Sequence, residues 1–201
     1  MFVAKELRKK SISEYLLYMW QVEDIIRAFG CSLPVIEKNY ISKFDYSDEQ
    51  KAEEADWFGN LIRMMNSEGK REQGHLDINR IIMDDLVDLH NRLLKSNRYP
   101  FYNSEYYKVL PFIVEIRSKN KRAEAKMKEQ GSTEAPLLDV DDNESEIETC
   151  FNVLYGIMLL RLQKKPITPE TDHAVKEITT FIGMLSDYYA QDREGKLKFD
   201  D

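Results

Sequence analysis

Glu72 and Glu170 each stand three residues before a histidine, His75 and His173. That E-x-x-H spacing holds metal in di-iron helical bundles, where the ligands project inward from long helices. Gly74 interrupts the first pair, and Pro169 sets the second in the opening turn of a helix. The third histidine is His90, which a helical rise of about 1.5 Å per residue would put about 22 Å from His75. Neither a metal centre nor any cofactor is therefore expected. Glu53-x-x-Asp56 and Asp85-x-x-Asp88 imitate the paired carboxylates with which helical pyrophosphatases hold magnesium on a triphosphate. Such pairs arise readily among 36 acids, and Glu53 and Asp56 lie opposite the apolar stripe of their own helix. A divalent-metal-dependent hydrolase of a nucleotide or other phosphorylated small molecule is the alternative that these acids keep open.

Nucleophilic chemistry has less support. There is no G-x-S-x-G elbow, Walker A loop or G-x-G-x-x-G run, and neither Cys31 nor Cys150 belongs to a motif that supplies a base or a zinc site. The two cysteines point to a reducing, cytoplasmic setting. A net charge of -7 opposes general attraction to a phosphate backbone, and the basic stretch 117 to 128 lacks interleaved aromatics, so a nucleic-acid partner is not expected. The N-terminal stretch has no apolar h-region with a cleavage site, and the longest apolar run, YLLYMW, is far short of the roughly 20 residues that span a bilayer. No membrane association is expected.

The elements that would position these groups are helices. Apolar residues recur at three and four throughout, without strand-like alternation. Ser11 and Glu14 open a first helix through Tyr15, Met19, Val22, Ile26 and Phe29, closed by Gly30. A short helix follows Pro34. A third starts at Ser47 with Gln50 and buries Phe58, Leu61, Ile62 and Met65, and a fourth, about 77 to 96, buries Ile78, Ile81, Ile82, Leu86, Leu89 and Leu93. A long fifth helix carries Pro111, which should kink or divide it. A sixth takes Ile147, Phe151, Leu154, Ile157 and Met158. A seventh opens with Thr168 and Pro169 and places Ala174, Ile178, Phe181, Ile182, Leu185 and Tyr189 on one stripe. The chain is read as an all-α, single-domain irregular bundle of about seven helices over 1–201, with a flexible acidic loop at 131–143.

Some polar residues share directions with the apolar stripes at 100° per residue. Glu54 falls in line with Phe58, Leu61 and Met65, Arg161 with Leu154 and Met158, and His90 lies within the arc of the fourth helix. Glu23 flanks the arc of the first helix, where Arg27 could reach it at i to i+4. A buried charge demands a partner, so Glu23, Arg27, Glu54, His90 and Arg161 are expected to contribute to one semi-buried polar cluster. Its plainest role is an ion-paired brace between helices; its functional role would be a ligand pocket.

The stretch SEYLLYMWQVEDIIRA, with its Met-Trp-Gln-x-Glu-Asp centre, resembles the bacterial family catalogued as domain of unknown function 4924. The resemblance implies an all-helical cytoplasmic protein and supplies no catalytic residues. With wide apolar arcs on several helices, the expected function is a non-enzymatic interaction or structural module whose partner is a protein, most simply a second copy in a homodimer.

Overall fold

A computed structural model describes residues 1–129 and 144–199, so the acidic loop expected at 131–143 lies outside the described residues. These contain eight α-helices, one 3-10 turn and no strand. The helices are α1 (Phe2–Lys10), α2 (Ile12–Ala28), α3 (Leu33–Asn39), α4 (Asp48–Ser67), α5 (Asp77–Lys95), α6 (Pro100–Glu129), α7 (Glu146–Leu162) and α8 (Pro169–Arg193). They form two compact units, Met1–Asp84 and Asp85–Asp201, and α5 runs from one into the other.

In the first unit α1 packs on α2, while α4 meets both α2 and α3. The helix ends follow local chemistry. The Ser11 hydroxyl accepts from the Glu14 N–H at 3.4 Å to start α2. Ser47 and Gln50 exchange bonds in a complete capping box on α4. Gly30, at φ +64°, turns the chain out of α2 as the Cys31 N–H closes on the Ile26 carbonyl at 2.8 Å. The helix absent from the sequence reading is α1. It has no side-chain cap and buries Ala4 alone among its residues, so neither a start signal nor a strong stripe marks it.

The expected fourth helix is α5, but its buried face is turned from the expected one. Asn79, Ile82, Met83, Leu86, Leu89, His90 and Leu93 are buried, whereas Ile78 and Ile81 are exposed. Asn79 takes the inward position in the first turn, and its neighbours on either side consequently point out.

In the second unit α6, α7 and α8 pack against one another. Pro111 lies inside α6 without dividing it. Ser145 and Glu148 form a second complete capping box at α7, and Thr168 caps α8 ahead of Pro169, as its spacing indicates. Arg117 braces the start of α7 by donating to the Thr149 hydroxyl at 2.8 Å and to the Glu144 carbonyl at 2.7 Å. The last turn of α8 and the segment after it are also held. Arg92 donates two bonds to the Asp192 carboxylate, at 3.2 and 2.5 Å, and its guanidinium lies 4.8 Å from the Phe199 ring centre. The Tyr99 hydroxyl donates to the Lys198 carbonyl at 3.0 Å and accepts from the Lys198 N–H at 3.1 Å.

Candidate functional site

Glu23 is the most elaborately bonded carboxylate of the first unit. It comes from the middle of α2 and has no solvent exposure. Its Oε1 accepts from the Leu76 N–H at 2.9 Å and from Asn79 Nδ2 at 2.7 Å, and its Oε2 lies 2.6 Å from His75 Nδ1. A carboxylate can only accept, so Nδ1 carries the proton and Nε2 is the ring's other polar atom. The Trp20 ring, one turn earlier on α2, stacks on the imidazole at 4.0 Å and 12°. Leu76 immediately precedes α5, and its N–H is one of the donors that a helix start leaves without an intrahelical partner. Glu23 thus caps α5 from a different helix, with its negative charge at the positive end of the helix dipole.

Gly74 makes this arrangement possible. At φ +80° it takes a backbone conformation that a side chain would strain, and it delivers His75 to Glu23. Arg27 holds the same loop by donating to the carbonyls of Lys70, at 3.3 Å, and Gly74, and it pairs with Asp24 at 2.8 Å. The expected Arg27–Glu23 bond does not form, because Asp24 and the loop carbonyls take the guanidinium. Chemically, the centre holds an imidazole in one tautomer on a buried carboxylate.

Glu54 points inward from α4, at 4% exposure. Its Oε1 meets the α-ammonium of Met1, and its Oε2 is buried without a hydrogen-bond partner. Burial pulls the α-amine down from its usual value, and the Glu54 carboxylate opposes this. Around the pair, burial and then the nearby acidic groups, Glu54 among them, push the Tyr18 and Tyr40 hydroxyls up. An aromatic wall follows: Tyr40 packs edge-on to Phe44, Phe44 stacks on Tyr46, and Tyr46 meets Phe2 edge-on at 5.4 Å.

In the second unit His90 is buried among aromatic rings. Its Nδ1 lies 2.7 Å from the Tyr102 hydroxyl, and Tyr102, Tyr106 and Phe181 all present edges or tilted faces to it. Burial pushes the imidazole down to about 4, with the Glu146 carboxylate pulling weakly upward. Arg161, expected to point inward, is exposed in the last turn of α7 and pairs with Asp172 at 3.2 Å. The line through Leu154 and Met158 that suggested burial leaves the packed part of the helix before it reaches Arg161, and the guanidinium finds its acid in the first turn of α8.

Within the first unit, then, Glu23, Arg27 and Glu54 bond to different groups; within the second, so do His90 and Arg161. The acid pairs Glu53 with Asp56 and Asp85 with Asp88 are exposed, as are Glu72, Glu170 and His173. No three His, Cys, Asp or Glu side chains converge as metal ligands among the described residues. Cys150 is fully buried and its thiol is pushed up by that burial, which makes it a core side chain rather than a nucleophile.

Sequence reasoning missed Asn79 and Tyr102, and it weighed His75 only as a metal ligand and not as the partner of Glu23. Asn79 carried a signal, since it shares a helical face with Ile82, Met83 and Leu86. His75 lies in a loop, where no periodicity reports direction. Tyr102 is fully buried near the start of a helix that opens at Pro100.

The family model described as Domain of unknown function (DUF4924) matches residues 1–131 and 136–196. No curated protein and no solved structure matches the chain.

Proposed function

The chain belongs to this family, and from that premise we propose that it is a non-enzymatic, cytoplasmic interaction module that pairs with a second copy of itself through α6. The observation that carries the reading is an exposed apolar stripe. Tyr107 is 65% and Val114 55% exposed, with exposed Pro111 and half-buried Leu110 between them, at the three- and four-residue spacing of one helix face. Apolar surface gathered in this way is characteristic of an interface rather than of scattered surface residues. Closed two-fold dimers are the commonest assembly, and a stripe that runs along one helix can pair with its own copy.

Light scattering is expected to give twice the chain mass of 23.7 kDa. Val114→Glu should return a monomer of unchanged helicity. A single-chain mass at every concentration would overturn the reading. The cytoplasmic setting is supported by Cys31 and Cys150, which are free rather than disulfide-bonded. No helix among the described residues is long and apolar enough to cross a membrane.

We propose also that 1–201 folds as a single domain, because α5 is one continuous helix that supplies buried residues on both sides of Asp84. Calorimetry is expected to record one transition; two separable transitions would assign the two units independent stability.

A further inference from the structure

We propose that Glu54 and the aromatic side chains around it form a recognition site for a primary ammonium group. Three observations lead there. The Glu54 carboxylate is almost wholly buried, and a buried carboxylate needs a cation or several donors. One of its oxygens, Oε2, has no partner, although it is out of reach of solvent. The group on the other oxygen is itself an ammonium, that of Met1. A primary ammonium carries three donors, enough to serve Oε1 and turn a second N–H toward Oε2.

The surroundings suit the same chemistry. Tyr18 and Tyr40 lie within the electrostatic reach of Glu54, and the rings of Tyr40, Phe44, Tyr46 and Phe2 continue as one wall. The rings keep water from the carboxylate, and a desolvated carboxylate gives a cation both charge and direction. A quaternary ammonium has no N–H to give to Glu54, a guanidinium is planar and wider, and an acylated amine has lost its charge. The site therefore discriminates by donor count and charge. Two sources could supply the ligand: the α-ammonium of Met1, which fills the site in this structure, or a free small primary amine.

The test compares the 1–201 chain with the same chain carrying Gly-Ser before Met1, which turns the ammonium into an amide. Thermal unfolding of both is followed with ethylammonium chloride, and with tetramethylammonium chloride as the control. If Met1 is the source, the extended chain melts lower, and ethylammonium but not tetramethylammonium raises its midpoint saturably while the unextended chain does not respond. If both chains respond to ethylammonium, a free amine is the source. Should neither respond and the extension leave the midpoint unchanged, Glu54 is no ammonium site. Glu54→Gln should abolish every response. A second readout covers a variant that fails to fold: reductive methylation of the Met1 amine in the unextended chain should run about tenfold slower than that of the exposed glycine amine of the extended chain. Labelling at the rate of that glycine amine would overturn the proposal.

Discussion

Lowering the pH from about 7.5 to about 4.5 is expected to remove about 2.5 kcal/mol of folding stability through His90 alone. In the unfolded chain the imidazole titrates near its model value of 6.5, whereas burial among Tyr102, Tyr106 and Phe181 lowers it to about 4 in the fold. Above 6.5 both states are neutral and the whole contribution is present. Between the two values the unfolded chain binds the proton that the folded one refuses, so stability falls as acid is added. Below about 4 both are charged and the loss is complete. His90→Asn keeps a polar atom toward the Tyr102 hydroxyl and removes the titration. Urea unfolding of wild type and variant at the two pH values should show a much flatter dependence in the variant, whatever its stability at neutral pH. Parallel curves would mean that water or a carboxylate, with Glu146 the nearest acid acting on the ring, already stabilises the charged form.

The second large effect is expected at Glu23. Glu23→Ala strands a buried amide N–H, the Asn79 amide group and the proton on His75 Nδ1 at once. Removing one side of a buried charged network typically costs about 3–5 kcal/mol, against about 1 kcal/mol for an ordinary hydrogen bond. Glu23→Gln should cost less, because its carbonyl still accepts from Leu76 and Asn79, while its amide forces the imidazole into the opposite tautomer. Hydrogen exchange should separate the local from the global effect. Amides in the first turn of α5 should lose protection beyond the change in overall stability, since Glu23 ties down the start of that helix. A urea midpoint for Glu23→Ala unchanged within error would show that the carboxylate contributes no net brace.

The sequence makes the helices legible wherever a cap and a stripe coincide. Ser11, Ser47 and Thr168 mark α2, α4 and α8 because hydroxyl caps and apolar periodicity agree there. Phe2 to Lys10 is helical without either signal and rests mainly on its contact with α2. The inward direction of Glu54 was readable from its register with Phe58 and Leu61, because that geometry is internal to one helix. Its partner was not, since Met1 lies 53 residues away and only the packing of α1 brings it in. Arg161 illustrates the limit of the wheel: direction is periodic along a helix, but burial ends where the neighbouring elements end. Glu23 depended on a loop histidine, and direction in a loop is set by glycine torsions and carbonyl bonds that no repeat announces.

The contacts that fasten the end of α8 and the segment after it have a consequence for biosynthesis. Arg92 and Tyr99 meet partners 100 and 99 residues downstream, so during translation the first helix of the second unit is made long before the groups that complete it. Until those residues leave the ribosome, the guanidinium has only Asp88 of its own helix and the phenol lacks its Lys198 partner, so the nascent unit lacks the bonds that fasten its end. Arrested chains cut short before Asp192 should therefore remain protease-sensitive between α5 and α8, gaining resistance only once Phe199 has emerged.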